Sequence, residues 1–177
     1  MSVALFVVLV LAVGLERLAE LVVSKRNTAW AFARGGRETG FGHYPFMVVL
    51  HTALLVGAVI EVLLADRPFH AALGWPMLVV VLGCQALRWW CIRTLGHQWN
   101  TRVIVVPGAG RVTGGPYRFF SHPNYVAVVL EGVALPLVHT AWATALVFTV
   151  ANAALLTVRL RAEERALADL DAPVPSS

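Results

Sequence analysis

Long apolar runs, separated by short polar segments, fill most of this chain, and their lengths predict which of them are helices that cross a bilayer. Such a helix needs about 20 mostly apolar residues. Three runs reach that length, and they predict helices at Ser2 to Val23, Tyr44 to Leu64 and Ala72 to Leu95. The first run carries several charged residues and has no small-residue cleavage site, so we interpret it as a retained helix rather than a signal peptide.

The last apolar region, Asn124 to Arg159, is too long for a single span. Pro136 and His139 interrupt it near its middle, so the pattern predicts a helical hairpin with arms at Asn124 to Val138 and Ala141 to Leu160. The first arm is short for a bilayer, which leaves a tilted path and a partly re-entrant path open. Together the runs predict an all-α polytopic membrane protein with about five transmembrane helices, the last two forming the hairpin.

Composition agrees with a membrane location. The 177 residues are 58% hydrophobic, have a mean hydropathy of +0.71 and are only 14% charged, against about 25% charged in soluble domains. The isoelectric point near 9.7 raises the question of a nucleic-acid partner, but the basic residues are spread among the apolar runs, so we expect none. The spacing of Cys84 and Cys91 is neither a metal-binding nor a redox motif. We expect two unpaired, small apolar side chains on one helix face and no metal site.

The basic residues also orient the predicted bundle, because lysine and arginine accumulate in short cytoplasmic loops. The first loop, the long loop after the third helix and the segment after the fifth helix hold most of them, whereas the connections on the other side hold only Arg67. We therefore expect the amino terminus outside and the carboxyl terminus in the cytoplasm. The basic residues of the three cytoplasmic segments include Lys25, Arg26, Arg34, Arg37, Arg102, Arg111, Arg118, Arg161 and Arg165.

Five polar residues inside the predicted helices fall at a similar depth. Each lies about seven or eight residues from the predicted cytoplasmic end of its own helix, which is about 10 Å below that surface. Ionisable groups at that depth usually face a cavity or one another. Two interpretations are therefore open, namely a pocket for a lipid head group and a network that holds the helices together. The five residues are Glu16, His51, Arg88, Glu131 and Asn152.

The long loop ends in the segment GGPYRFFSHPNY, which covers Gly114 to Tyr125. Its glycines allow close backbone approach, its prolines stiffen the chain, and its aromatic rings together with Arg118 and His122 supply flat faces and hydrogen-bond donors. Such a surface suits a planar heteroaromatic ligand with a charged tail, such as an adenosyl group. A tight surface turn with an interfacial aromatic belt is the alternative.

After the fifth predicted helix, the sequence RLRAEERAL continues a helix into water. Arg159 and Glu163 are i,i+4 partners in this segment. Taken alone, such a pattern is typical of a solvated amphipathic extension.

The combination of GPY, HPNY, a helical hairpin and an RxxxEExxL helix resembles the isoprenylcysteine carboxyl methyltransferase family of integral membrane enzymes, over about Leu95 to Leu167. The wider run WNTRVIVVPGAGRVTGGPYRFFSHPNY, with ERLAELVVSKRN and HYPFMVVLH, looks closer to a bacterial branch that methylates alkylresorcinols or alkylpyrones. The resemblance implies an O-methyltransferase of a bacterial inner membrane that uses S-adenosylmethionine and a lipophilic acceptor.

The resemblance also implies where the cofactor binds. It divides the chain into a substrate-side bundle, residues 1–95, and a cofactor-binding part, residues 96–177, within one integrated domain. Ser121 stands where the family usually has arginine, and Arg118 is the residue expected to replace that charge. The implied cofactor-binding residues are Gly115, Pro116, Tyr117, Arg118, His122, Pro123, Tyr125, Glu163 and Glu164.

The chemistry of the acceptor decides which catalytic residues are needed. Two acceptor classes are open. An isoprenylcysteine-like carboxylate needs no base, whereas an alkylresorcinol-like phenol, with a pKa of about 10, or an alkylpyrone-like enol benefits from one. His51, Glu16 and Glu131 are the candidate bases, and Arg88 is the candidate to hold an anionic acceptor.

Two other classes of function are open from the sequence. One is a phospholipid N-methyltransferase or a membrane reductase on a similar hairpin, and the other is a small channel or transporter that uses the polar layer as its path. We detect no inverted repeat of the kind found in many transporters. Membrane lipid is an expected partner, and the small residues Ala12, Gly14 and Ala19 of the first helix offer a surface for a second copy of the chain.

Overall fold

The structure, a computed structural model, describes residues 1–39, 42, 44–110 and 112–171, without the side chains of residues 39, 162 and 164–171. Helices dominate these residues, and three of them are long and apolar enough to cross a membrane. The chain is therefore an all-α polytopic membrane protein, as predicted. The helices are α1 (Val3–Phe32), α2 (Tyr44–Leu64), α3 (Ala71–Leu95), α4 (Pro123–Leu137) and α5 (Trp142–Asp171).

The apolar runs predicted the inner helices closely. Helix α2 has the predicted bounds, and α4 and α5 form the predicted hairpin with a break after Leu137. The three candidate spans are α2, Ala71–Gln98 and Trp142–Arg161, whereas α4 is a shorter apolar helix. Cys84 and Cys91 are both free and buried, as expected.

Helix α1 is longer than its apolar run, because it continues beyond Val23 to Phe32. Two polar side chains in this continuation are buried and bonded to the long loop after α3. The Ser24 hydroxyl lies 2.7 Å from both the Asn100 Oδ1 atom and the Thr101 Oγ1 atom. The end of the apolar run therefore does not mark the end of the helix.

A two-stranded antiparallel sheet joins the first loop to the long loop. Strand β1 (Arg37–Thr39) pairs with β2 (Val103–Val105), with Arg37 opposite Val105. Strands of three residues leave too short an alternating pattern to be predicted from sequence. The sheet places both loops at the same end of the bundle as the last part of α5. Contacts of α5 with β1 and β2 confirm this position.

The hairpin of α4 and α5 packs closely at a glycine. A Cβ atom on Gly132 would overlap the ring of Phe148 on α5, so only glycine fits that position without a shift. At the opposite end of the bundle from the loops, the carboxylate of Glu61 accepts hydrogen bonds from the backbone N–H groups of Ala143 and Thr144. Glu61 of α2 thus caps the first turn of α5.

Candidate functional site

The long loop after α3 closes over the ends of α4 and α5 and forms a cavity of about 300 Å³, called here the loop pocket. Strand β2 and the residue after it supply much of its apolar wall, through Val103 and Val106, which are buried. Polar side chains from the loop, from the start of α4 and from α5 complete the wall. They are His97, Gln98, Asn100, Arg102, Ser121, His122, Asn124, Arg159 and Glu163.

The HPNY segment fixes one side of the loop pocket. His122 is the N-cap residue of α4 and Pro123 is its first residue, a position where the missing N–H of proline costs nothing. The ring of His122 stacks on the ring of Tyr125, with centroids 5.3 Å apart and planes inclined by 12°. The start of α4 therefore presents two parallel aromatic rings and a hydroxyl to the pocket.

The tail of α5 meets these rings. The Tyr125 hydroxyl donates a hydrogen bond of 2.5 Å to Glu163 Oε2 and accepts one of 2.8 Å from Arg159 Nε. The Nδ1 atom of His122 lies 3.7 Å from Glu163 Oε1. The structure thus brings the HPNY segment and the RxxxE segment together, although 38 residues separate Tyr125 from Glu163 in sequence.

Other members of the implied cofactor site shape the loop rather than line the pocket. Gly115 has a φ of +55° and lies so close to the side chain of Thr94 that a Cβ atom would overlap it. Pro116 and Pro123 are fully buried. Arg118 lies over the ring of Phe119, 4.7 Å from its centroid. None of these residues lines the pocket, and the side chain of Glu164 lies outside the described residues.

Tyr117, by contrast, lines the loop pocket. Its ring is held at the wall by the short 3-10 helix Gly115–Arg118, which packs against α3. Burial raises the pKa of Tyr117 above its ordinary value, and the neighbouring Cys91 thiol acts in the same direction. The Tyr117 hydroxyl is therefore a neutral group throughout the physiological pH range.

A second cavity of about 690 Å³ lies among the membrane-spanning helices and is called here the membrane groove. Its walls are mainly apolar side chains of α1 and α2, with a few from α4 and α5. Its volume falls in the range of about 300–1,000 Å³ that is typical of ligand sites. Its polar lining residues are Arg17, His51, Thr52, Arg88, Thr101, Asn124, Tyr125, Asn152 and Arg159.

Four side chains line both cavities and form what we call the junction: Trp99, Asn124, Tyr125 and Arg159. Trp99 and Arg159 are only 3% and 7% exposed. The Oδ1 atom of Asn124 is buried and has no hydrogen-bond partner among the described residues. A buried polar atom without a partner is costly in a folded protein, so the junction offers an unused hydrogen-bonding group to a ligand.

Two charged residues of the predicted polar layer, Arg88 and Glu131, are paired with charged residues of α1 that lie outside the predicted layer. Arg88 binds Glu20 through two hydrogen bonds of 2.8 and 2.6 Å. Arg17 contacts Glu20 at 2.6 Å and Glu131 at 2.9 Å. For these four residues the geometry favours the network that holds α1, α3 and α4 together. Glu16 and Glu131 line neither cavity, and the catalytic roles of Glu16, Glu131 and Arg88 stay predictions.

His51 is the candidate base that faces the membrane groove. Its Nδ1 atom lies 2.8 Å from the backbone oxygen of Met47. Because a carbonyl oxygen can only accept, Nδ1 carries the hydrogen and a neutral ring keeps its lone pair on Nε2. Met47 also contacts the Arg159 guanidinium through its sulfur. His51 thus lies one helical turn from the junction.

Sequence reasoning missed two main features of the site. Trp99 and Asn124 have no special place in the motifs, although both stand inside the segments that carry them. Arg159 looked like part of a solvated extension, yet it is buried against Tyr125 and Met47. The i,i+4 spacing of Arg159 and Glu163 was the available signal, since it places both side chains on the same face of α5.

Comparison with known proteins places these features in a family. The family model of isoprenylcysteine carboxyl methyltransferases matches residues 77–169, which include the long loop, α4 and most of α5. The chain is similar to the uncharacterized protein YpbQ of Bacillus subtilis (strain 168), with 38% identity over 92% of this chain and 96% of that protein. It is also similar to an uncharacterized protein of Haemophilus influenzae, with 25% identity over 87% of this chain and 90% of that protein. No solved structure matches.

Proposed function

Because the chain belongs to the isoprenylcysteine carboxyl methyltransferase family, we propose that it is an S-adenosylmethionine-dependent O-methyltransferase whose lipophilic acceptor meets the cofactor at the junction. The observation that carries this proposal is the pair of adjoining cavities. One lies under polar loops and one lies among membrane-spanning helices, and Trp99, Asn124, Tyr125 and Arg159 line both. A water-soluble donor and a lipid acceptor therefore have separate cavities with a common wall.

The residues of the loop pocket fit S-adenosylmethionine by their chemistry. Val103, Val106 and Tyr117 offer apolar surface to the adenine ring, and Glu163 offers a carboxylate to the ammonium group. Arg102 offers a cation to the carboxylate of the cofactor. When bound, the cofactor supplies a methyl group activated by a sulfonium. Ser121 also lines the pocket, so the position where the family usually has arginine supplies a hydroxyl here.

The acceptor proposed for the membrane groove is a lipid with a weakly acidic hydroxyl, such as an alkylresorcinol-like phenol or an alkylpyrone-like enol. Arg17 and Arg88, two of the arginines that line the groove, are already bound by Glu20 and Glu131. Neither of these two therefore offers an unpaired charge to the acceptor. A hydroxyl acceptor needs a group that takes its proton, and His51 Nε2 has a lone pair for that purpose.

The chain's own groups would act on the acceptor as follows. His51 Nε2 takes the proton of the acceptor hydroxyl, and the charge that develops on the acceptor oxygen is stabilised by the Arg159 guanidinium. Asn124 orients the acceptor oxygen through a hydrogen bond that its Nδ2 atom donates, and its unpartnered Oδ1 atom accepts from another donor of the head group. Trp99, which is 3% exposed, excludes water from the junction. Positioning of this kind is the main task of an enzyme that catalyses an in-line displacement.

Two measurements on the purified protein in lipid nanodiscs test the proposal. Calorimetry measures binding of S-adenosylmethionine, and transfer of a labelled methyl group to 5-pentadecylresorcinol measures activity. We expect Glu163→Gln to weaken cofactor binding, whereas Arg161→Gln, on an exposed neighbouring residue of the same helix, serves as its control. Absence of cofactor binding by the wild-type protein would overturn the proposal.

A second pair of variants tests the base. His51→Gln keeps a polar side chain but cannot take the proton, so we expect kcat to fall by about 10²- to 10⁴-fold. His70→Gln changes an exposed histidine at the far end of the bundle and is the matched control. Equal activity of His51→Gln and wild type would remove His51 from the mechanism and leave the acceptor class open.

A further inference from the structure

We propose that the membrane groove selects acceptors by the length of a single linear alkyl chain, and that Gly14 lies at the midpoint of the groove. The proposal rests on the proposed function, since it takes the groove as the acceptor site. It adds the residue that sets chain-length specificity.

The groove is built from two facing stripes of apolar side chains. On α1 the stripe runs from Val7 through Gly14 to Leu21, and on α2 it runs from Met47 to Ile60. Both stripes follow the three- or four-residue spacing of one helix face. The two helices run in opposite directions, so Leu21 and Met47 lie near the junction and Val7 and Ile60 lie at the far end. The lining therefore extends along the length of both helices.

The length of the stripes sets the length of the chain that fits. Fourteen residues separate Val7 from Leu21, which at 1.5 Å per residue is about 21 Å. An extended chain advances about 1.2 Å per bond, as the three-bond peptide repeat of about 3.6 Å shows. The groove therefore holds a head group and a linear chain with a combined length of about 17 bonds. This length is more than half of the hydrocarbon thickness of about 30 Å.

The groove is open sideways, so a lipid chain can enter it from the bilayer. Several lining side chains are 40% to 67% exposed, and they come from both walls: Leu11, Leu15, Leu18, Val48, Val56 and Ile60. The groove is also continuous with the junction, because Tyr125 and Arg159 line its polar end. A chain that lies in the groove thus places the head group to which it is attached beside the loop pocket. This continuity identifies the occupant as the acceptor's own tail rather than a bulk lipid.

Gly14 leaves space at the middle of the groove. A Cβ atom on Gly14 would meet only Leu55 Cδ1 of the facing helix, at 3.6 Å, which is an ordinary contact. A methyl group therefore fits at Gly14 without a backbone shift, and the outer atoms of a longer side chain would extend into the groove. Seven residues separate Gly14 from Leu21, so the part that stays open is about 10 Å long. That part holds a head group and a chain with a combined length of about eight bonds.

Chain-length profiles test the inference. The probes are 5-alkylresorcinols with pentyl, undecyl and pentadecyl chains, assayed by methyl transfer in nanodiscs. In Gly14→Leu we expect the ratio of kcat/KM for the pentadecyl probe to that for the pentyl probe to fall at least tenfold. Ala12→Leu adds the same side chain on the exposed face of α1 and keeps the wild-type ratio. An unchanged ratio in Gly14→Leu would overturn the proposal.

A cross-linking experiment separates this inference from the proposed function, because it needs no turnover. A pentadecylresorcinol with a diazirine at the end of its chain is bound to the wild-type protein and activated by light. We expect peptide mapping to find labels between Val7 and Leu11 and between Val56 and Ile60, and unlabelled pentadecylresorcinol to compete with labelling. Labels at other helices, or labelling without competition as for bulk lipid, would contradict the inference. Competed labelling without methyl transfer would retain the groove assignment and reject the proposed reaction.

Discussion

Replacement of Tyr125 by phenylalanine removes the single hydroxyl on which the junction depends. That hydroxyl donates to Glu163 at 2.5 Å and accepts from Arg159 at 2.8 Å, and both partners are charged groups. The variant keeps the ring that stacks on His122. Tyr125→Phe therefore tests the hydrogen bonds of this hydroxyl and leaves the stacking contact in place.

The magnitude follows from these two bonds. A hydrogen bond to a charged group contributes about 1.5–3 kcal/mol, and about 1.4 kcal/mol corresponds to a tenfold change in affinity. Without the hydroxyl, Glu163 is free to turn toward water, since its side chain is 29% exposed. If cofactor binding loses the free energy of one such bond, we expect Kd for S-adenosylmethionine to rise about 10- to 150-fold. The loss of the second bond should lower the thermal stability of the protein, because Arg159 stays buried.

Calorimetry with S-adenosylmethionine and thermal unfolding in the same detergent measure the two effects separately. Tyr44→Phe is the matched control, because the Tyr44 ring lies under Arg102 and that ring contact survives the change. A Kd within twofold of wild type in a folded Tyr125→Phe protein would refute the reasoning. The pair of Tyr125 and Glu163 would then be a structural contact without a role in cofactor binding.

Three further changes test other parts of the structure. Glu20→Gln leaves the buried Arg88 without its bidentate carboxylate partner. We expect the free energy of unfolding to fall by about 3–5 kcal/mol. Titration of detergent-solubilised protein with denaturant measures this loss. Gly132→Ala forces the new methyl group against the ring of Phe148. We expect the free energy of unfolding to fall by about 1–3 kcal/mol in the same titration, and an unchanged value would show that the hairpin opens without cost. Asn124→Ala removes the junction amide whose Oδ1 atom has no partner among the described residues. We expect kcat/KM for 5-pentadecylresorcinol to fall while Kd for S-adenosylmethionine stays within twofold of wild type. The reversed pattern would assign Asn124 to the cofactor.

The number and type of helices could be predicted because long apolar runs have few other structures open to them in a bilayer. The polar layer could be predicted only in part. Counting residues from the end of an apolar run selected Glu16 as the carboxylate of α1, whereas Glu20 is the one that binds Arg88. Helix α1 continues to Phe32, so the apolar run did not mark where the helix ends. The tilt and partners of α1, which decide the depth of each carboxylate, come from contacts with other helices.

The role of glycine and proline in the GGPY segment shows a second limit of sequence reasoning. Both residue types are typical of sites where a ligand approaches the backbone and of tight turns that pack against a helix. The structure shows the second for Gly115, which lies against Thr94 of α3. That contact holds the neighbouring Tyr117 ring at the wall of the loop pocket. Gly115 is thus placed to influence a ligand through the position of Tyr117.

Arg159 shows most clearly why the junction required a structure. The segment RLRAEER that begins at Arg159 is mostly charged, so it predicts exposure to water. Its contacts come from Tyr125, 34 residues away, and from Met47, 112 residues away. Tyr125 belongs to α4 and Met47 to α2. Helix α5 contacts α4 because the hairpin folds back, and it contacts α2 because α2 packs beside α5. Burial of a cation between a loop and a membrane-spanning groove therefore depends on the packing of three helices. The same packing places its charge where the two cavities meet.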